Sequence, residues 1–523
     1  MATKPEISQI MKNKGNNQTA KNLIMALMNY GLSAMVGFFL TSYITTHISS
    51  EAYGFSNMAT NFTQYIVIFT TALNYLSNRF ISVSYHREKY LEAKQYFNTV
   101  LIGDLLIASA CFLVSGIVIL RLQEIITIPA ELVDDVKITF FFTFLQFELS
   151  LITTAFGSAA YVKDRIDLSS MKGMLYTVCR ISFLILLYIL FPPHIYYIAL
   201  AGCVAFLLSL VMDVIIKIRL LPEITISLRY FNLKCLKEVL TSGWWNTVKQ
   251  LGLIMNSGFD LLILNQMVGS YEMGILAVAK TFPMAIRTGM NTVYSVFVPK
   301  QTIMYAHRDI DGLSLNILRT ARILGFVMTP PLIALVAVSK SFFHLWLPGK
   351  TAQEIQVISV IFFILCAEFP INFVQVAITN VPIMYNRQKF TAIQNVTTNF
   401  ISLVFTLVLL KFTNLGIYAV AGCSVILSNM GILLLYVPYC VKVIMEKPLR
   451  AICLPMYREV LKLYVLFFGG IYAARLFFAD SWYWIIAQMF IIVVVLYFLM
   501  ALVVLDKTDR MVLKQTVKKR IGK

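Results

Sequence analysis

Charge is scarce in this chain. Only 13% of its 523 residues are Asp, Glu, Lys or Arg, against about 25% in soluble domains, which excludes a surface built for water. Catalytic and cofactor signatures are missing as well. The eight cysteines (Cys111, Cys179, Cys203, Cys235, Cys366, Cys423, Cys440 and Cys453) show no CxxC or Cys/His spacing and mostly lie in apolar segments. They read as small buried residues, with no metal site, disulfide or cofactor expected. No G-x4-G-K-[ST] sequence occurs, so ATP is not the expected driver. No polar loop is long enough to house a soluble catalytic domain, which argues against a sugar-transferring membrane enzyme. Residues 1–21 are polar, and the first apolar run, 23–47, is too long for the core of a cleavable signal.

What the chain has in excess is apolar length. Hydrophobic residues make up 59% of it and the mean hydropathy is +0.75. Runs long enough to cross a bilayer as helix fall at 23–47, 56–80, 96–120, 135–160, 172–191, 195–216, 240–267, 272–298, 320–346, 355–381, 391–411, 415–440, 460–479 and 481–505. The predicted fold is therefore all-α, a polytopic membrane protein of about fourteen helices. Lys and Arg mark the sides. With residues at span ends counted to the adjoining loop, 33 of the 44 fall on the side of the N-terminus, five on the other (Arg121, Lys137, Lys340, Lys350, Lys411), and six within spans. That asymmetry predicts a cytoplasmic N-terminus and, with an even helix count, a cytoplasmic C-terminus. It also accounts for the net charge of +18 as a topology label and a contact surface for anionic membrane lipids, with no nucleic-acid partner.

The chain contains an internal repeat. GLSAMVGF (Gly31–Phe38) returns as GLIMNSGF (Gly252–Phe259), and Gly54, Ala59 and Phe62 return as Gly274, Ala279 and Phe282. Glu148 precedes Glu368 by 220 residues, and Tyr161–Arg165 and Tyr385–Lys389 share a Tyr-x-basic-x-basic pattern. The offset spans six helices, so the copies keep one orientation, as parallel repeats do. The expected organisation is a cytoplasmic tail (1–22), an N-terminal six-helix bundle (23–216), a basic cytoplasmic linker (217–239) and a C-terminal six-helix bundle (240–440). A cytoplasmic loop with two extra helices (441–505) and a basic cytoplasmic tail (506–523) complete it.

Polar residues at membrane depth carry the functional signal. Lys249, Gly252, Asn256 and Asp260 follow a helical spacing of 3, 4 and 4, and Lys280, Arg287, Asn291 and Tyr294 do likewise with Pro283 between the cations. Asn57, Asn61, Gln64, Thr71, Asn78 and Arg79 form a third stripe, and Asn29, Ser33 and Gly37 a fourth. A cation at mid-membrane costs about 2.5–3.5 kcal/mol, so Lys249, Lys280 and Arg287 facing lipid would together cost on the order of 10 kcal/mol. A wet cavity of positive charge, suited to a phosphate or diphosphate, is one reading. Ion pairing, with Asp260 for example, and snorkelling of Arg79 or Lys249 to a membrane face are the others. Asp260, Glu148 and Glu368 are candidate ion-coupling groups, and ion pairs inside one bundle are the simpler reading of Asp104, Arg180 and Asp213. Pro330, Pro331, Pro370, Pro382 and Pro438 interrupt spans and are expected to bend them.

The stretch SSEAYGFSNMATNFTQYIVIFTTALNYLSNRFIS (Ser49–Ser82), whose start recurs as GSYEMGILAVAKTF (Gly269–Phe282), resembles the polysaccharide transporter branch of the multidrug/oligosaccharidyl-lipid/polysaccharide exporter superfamily. That branch includes Wzx-type flippases. The resemblance covers about residues 20–440. It implies a MATE-like pair of bundles that rock by alternating access and move a polyprenyl-diphosphate-linked oligosaccharide, such as an O-antigen or capsule unit, from the inner to the outer leaflet of a bacterial cytoplasmic membrane. A polymerase and glycosyltransferases are the implied partners, and no enzymatic step is implied. It places Arg79 and Arg287, by helix and depth, at the substrate, and the polar stripes add Lys249, Asn256, Lys280 and Asn291 as candidate substrate-binding residues. Helix 1 carries no cation past Lys21, unlike the lipid II flippase pattern. A drug/cation antiporter of the same fold is the rival, but it would require an acidic cavity.

Overall fold

The computed structural model describes residues 25, 28–74, 77–163, 165–474 and 481–503, with the side chains of all of these except 166, 256, 257 and 474. The tails expected at 1–22 and 506–523 lie outside the described residues. Every regular element among the described residues is helical. Nine of these helices are long and apolar enough to span a bilayer: Tyr90–Leu120, Ala130–Val162, Asp167–Leu190, Tyr196–Leu220, Ile310–Ala337, Ala352–Met384, Lys389–Phe412, Ile417–Ile444 and Trp482–Val503. Apolar side chains cover their outward surfaces, with Leu113 70%, Ile189 75% and Phe490 68% exposed, as a lipid-facing surface requires. Five further helices have spanning length but carry more polar residues: residues 28–47, Ser50–Asn74, Leu233–Ser257, Ser270–Ser295 and Leu449–Ala474. The first four of these five bear the polar stripes read from the sequence.

Contacts divide the chain into two compact units, Met1–Ala277 and Val278–Lys523. The sequence-based boundary fell earlier, at 216–240. The difference lies in Leu233–Ser257, which packs along Ser50–Asn74 in the first unit. Gly243 lets the two backbones close: a Cβ there would collide with the main chain of Ala72, the close helix approach that small residues permit. Around this pair, Val133–Val162 packs broadly on Tyr196–Leu220 and on Tyr90–Leu120. A core of Phe97, Val100, Ala155, Phe156, Leu221 and Val239 fills one end.

The stretch expected as a linker is docked rather than loose. Asn98 donates to the Thr225 carbonyl at 2.9 Å and accepts from Ser227 N at 2.8 Å, Thr99 Oγ1 accepts from Asn232 N at 3.0 Å, and Tyr96 donates to Glu238 at 2.6 Å. Lys217 is buried, and its ammonium bonds the Ile224 carbonyl.

In the second unit, Ile310–Ala337 carries a core that runs from Leu313 and Ile317 through Val374 and Val437 to Met456 and Val460. Leu449–Ala474 and Trp482–Val503, the helices outside the repeat, pack on Ile310–Ala337. Tyr464 donates to the Ala367 carbonyl at 2.8 Å and Tyr497 to the Val327 carbonyl at 2.9 Å.

Element boundaries repeat with the sequence. Ser50 and Ser270 begin corresponding helices, as do Tyr90 and Ile310, each pair 220 residues apart. The left-handed residues Glu88 (φ 60°) and Arg308 (φ 58°) occupy the same place before the second pair. Prolines act unequally. Ile310–Ala337 continues through Pro330 and Pro331, whereas Pro438 sits between two π-helical turns, Ile432–Tyr436 and Cys440–Ile444.

Candidate functional site

The second unit brings two sequence candidates into contact. Pro370 has no amide hydrogen, and the run expected as one helix from 355 to 381 divides into Ala352–Cys366 and Phe369–Ile378. Glu368 stands at the division, and its carbonyl accepts from the amides of Ile371 and Asn372. Its side chain, 11% exposed, bonds the guanidinium of Arg287, which is 45% exposed. Arg287 is thus a cation held by a buried carboxylate while part of its surface stays open. Asn291, one turn on, is exposed, and Lys280 is half-buried on the same helix.

In the first unit the stripe containing Asp260 is not on one unbroken helix. Leu233–Ser257 stops, and Asp260–Met267 starts after Gly258 and Phe259. The Gly258 carbonyl accepts from Tyr65 at 2.7 Å and from Asn61 at 3.4 Å, and the Tyr65 ring stacks on Phe259 at 5.0 Å. Asp260 turns one oxygen back to the Leu261 amide at 2.8 Å. Lys249 is half-buried upstream and Asn256 lies in the last turn before the interruption. Arg79 is exposed on a separate short helix, Ser77–His86. Glu148 is buried and accepts from Ser115 at 2.8 Å. The two repeat-related glutamates therefore have unlike partners, a hydroxyl for Glu148 and a guanidinium for Glu368.

Of the groups read as ion pairs inside the first bundle, Asp213 alone makes one among the described residues, with Lys172 at 2.7 Å. Asp104 accepts from Asn74 at 2.9 Å. Arg180 has no ion pair or hydrogen bond among the described residues, and its Nε is buried. It lines an open cavity of about 260 Å³ bordered by the helix at residues 28–47, Ser50–Asn74, Ile166–Leu190 and the start of Tyr196–Leu220. Ser33, Ser56, Asn57, Thr60 and Tyr176 line it too, and no lining residue is acidic. Ser33, Gly37 and Asn57 were legible as stripe members. Arg180 was read from the sequence as one half of an ion pair inside the bundle, and the structure shows no such pair for it among the described residues.

Residues 19–301 match the family described as "Polysaccharide biosynthesis protein". A curated relative, the uncharacterized membrane protein EpsK of Bacillus subtilis (strain 168), is 26% identical over 419 residues, covering 80% of this chain and 82% of EpsK. Among solved structures, the lipid II flippase MurJ in an inward closed conformation superposes with a TM-score of 0.62 at 14% identity, over 91% of this chain and 98% of MurJ. An inward-facing multidrug resistance MATE family transporter of the MOP superfamily gives 0.60 at 12% identity, over 85% and 98%. At these identities the structural likeness establishes fold. With the family match across more than half the chain, the all-helical architecture and the resemblance of Ser49–Ser82, the conclusion is that this chain belongs to the polysaccharide biosynthesis protein family and is a multi-pass membrane protein with the fold of the MOP-superfamily transporters.

Proposed function

We propose that this protein flips a polyprenyl-diphosphate-linked oligosaccharide, an O-antigen, capsule or exopolysaccharide unit, from the inner to the outer leaflet of a bacterial cytoplasmic membrane. The observation that carries this reading is Arg287, a half-exposed guanidinium paired with the Glu368 carboxylate. Arg binds phosphate oxygens in a bidentate manner, and a diphosphate that reaches Arg287 exchanges places with the Glu368 carboxylate. Lys249, Lys280 and Arg79 add positive charge, and Asn256 and Asn291 add polar contacts to the sugar or linkage. The polyprenyl chain stays in lipid, so no covalent step is required. Both termini lie in the cytoplasm, and polymerase and glycosyltransferases are the functional partners. Glu368, released when substrate takes Arg287, is the leading coupling group, with Asp260 and Glu148 as further candidates.

Arg287→Glu tests the reading in cells that depend on this chain for surface glycan. The expected result is loss of surface polysaccharide and accumulation of the lipid-linked precursor. A drug/cation antiporter of the same fold is the second reading, favoured by Asp104, a buried carboxylate whose hydrogen-bond partner among the described residues is the Asn74 amide. Unchanged glycan export together with lost drug resistance would establish that reading instead.

A further inference from the structure

We propose that the cavity around Arg180 is a binding site for a small oxyanion: the phosphate of a diphosphate link or the carboxylate of an acidic sugar. The flippase reading supplies the source of that anion; the chemistry of the cavity stands apart from it. The site lies wholly within the first unit, whereas the Arg287–Glu368 pair belongs to the second.

Three observations converge. The cavity, about 260 Å³, is large enough for an anionic group with its waters. Its charge is of one sign, because Arg180 is the charged lining residue and no carboxylate faces it. Its polar lining is biased toward donors. Ser33, Ser56 and Arg180 make no side-chain hydrogen bond among the described residues, and the Tyr176 hydroxyl accepts from Gln146 at 3.2 Å, which leaves its own O–H to give. By contrast Asn57 and Thr60 spend their protons on the Tyr53 and Ser56 carbonyls at 2.9 and 3.2 Å. A guanidinium and three hydroxyls with protons to give, in a pocket without an anion of its own, match an oxyanion. A cationic ligand would meet the uncompensated Arg180.

The lining also supplies a clean block. Gly37 borders the cavity, and a Cβ placed on it meets nothing within 4 Å. Gly37→Leu therefore occupies space without displacing backbone, on a helix where leucine is the better former.

The test uses the full-length chain in lipid nanodiscs, titrated calorimetrically with inorganic pyrophosphate, sodium glucuronate and tetraphenylphosphonium. Expected is binding of one or both anions, weakened about tenfold or more by Arg180→Gln, a loss of the size seen for charge-assisted hydrogen bonds, and abolished by Gly37→Leu. Pyrophosphate binding alone assigns the diphosphate link; glucuronate binding alone assigns an acidic sugar. Tyr176→Phe is the milder second variant and should weaken the same ligand a few-fold while folding as wild type. Equal affinities in wild type, Arg180→Gln and Gly37→Leu overturn the proposal, as does binding of tetraphenylphosphonium in place of the anions. Loss of glycan export in Arg287→Glu with unchanged anion binding in Arg180→Gln overturns this site and leaves the flippase reading standing. Intact export in Arg287→Glu overturns the flippase reading, while the titrations still decide the cavity.

Discussion

Glycine 54 and glycine 274 are the same residue of the two copies, and they meet. A Cβ on Gly54 would lie 3.0 Å from the Gly274 Cα and 2.7 Å from the Met273 methyl, whereas a Cβ on Gly274 would lie 2.5 Å from the Ser50 carbonyl oxygen. Ser270 reinforces the crossing by donating to Glu51 at 3.1 Å. A methionine tip can move and a helix backbone cannot, so the two glycines are not equally tolerant. Gly274→Ala should cost about 1–3 kcal/mol, the usual range for overpacking, and Gly54→Ala less. Thermal unfolding of the two variants in one detergent checks the order; equal losses would contradict the backbone argument. A similar contrast separates Arg287 from Arg180. Arg287 has a carboxylate that fixes its head group, while Arg180 has no ion pair among the described residues and lines a cavity without a carboxylate.

At the scale of the element, interruptions are where the chemistry sits. Phe38 in the first copy of the G-L-x4-G-F motif lies in unbroken helix, while Phe259 in the second lies between two helices, with the Gly258 carbonyl taken up by Tyr65. Tyr65→Phe removes that bond and should destabilise the first unit by about 0.5–1.5 kcal/mol, measured as a lower unfolding temperature with the helical circular dichroism retained. Apolar run length made most helices legible in the sequence, because lipid demands that length and leaves it written in composition. Polar periodicity likewise drew Lys280 and Arg287 onto one helix. The interruption at 258–259 was not legible, since Gly and Phe both occur freely in membrane helices and the acceptor of the Tyr65 proton is distant in sequence. Nor was the partner of Glu368: a 220-residue repeat suggested a twin for Glu148, and the ion pair arises from Arg287, for which the first copy has Val67. Pro370 marked the neighbouring division in advance, but not which carboxylate it would present.

At the scale of the whole molecule, each unit closes its own core, and the two helices outside the repeat are part of the second, tied by Tyr464 and Tyr497 to carbonyls of its repeat helices. The first unit takes in the segment after Tyr196–Leu220 through Asn98, Thr99 and Tyr96. Sequence could not place these attachments, because a basic segment reads as solvated until its neutral neighbours are seen bonding the bundle.

The left-handed residues Glu88 and Arg308 are opposite in charge, yet they share a main-chain shape immediately ahead of matching helices. The duplicated feature is thus a phase setting, which fixes the angle at which the next helix leaves the turn. Removing Lys89, which stands just ahead of Tyr90–Leu120 in a non-helical conformation, would shorten the turn and pull Phe97, Val100 and Asp104, all buried, away from the neighbours that now cover them. A one-residue deletion there should abolish the folded protein in a detergent-solubility assay, while Glu88→Gly, which keeps the count and suits the positive φ, should preserve it. Length, more than identity, is what that turn transmits to everything downstream.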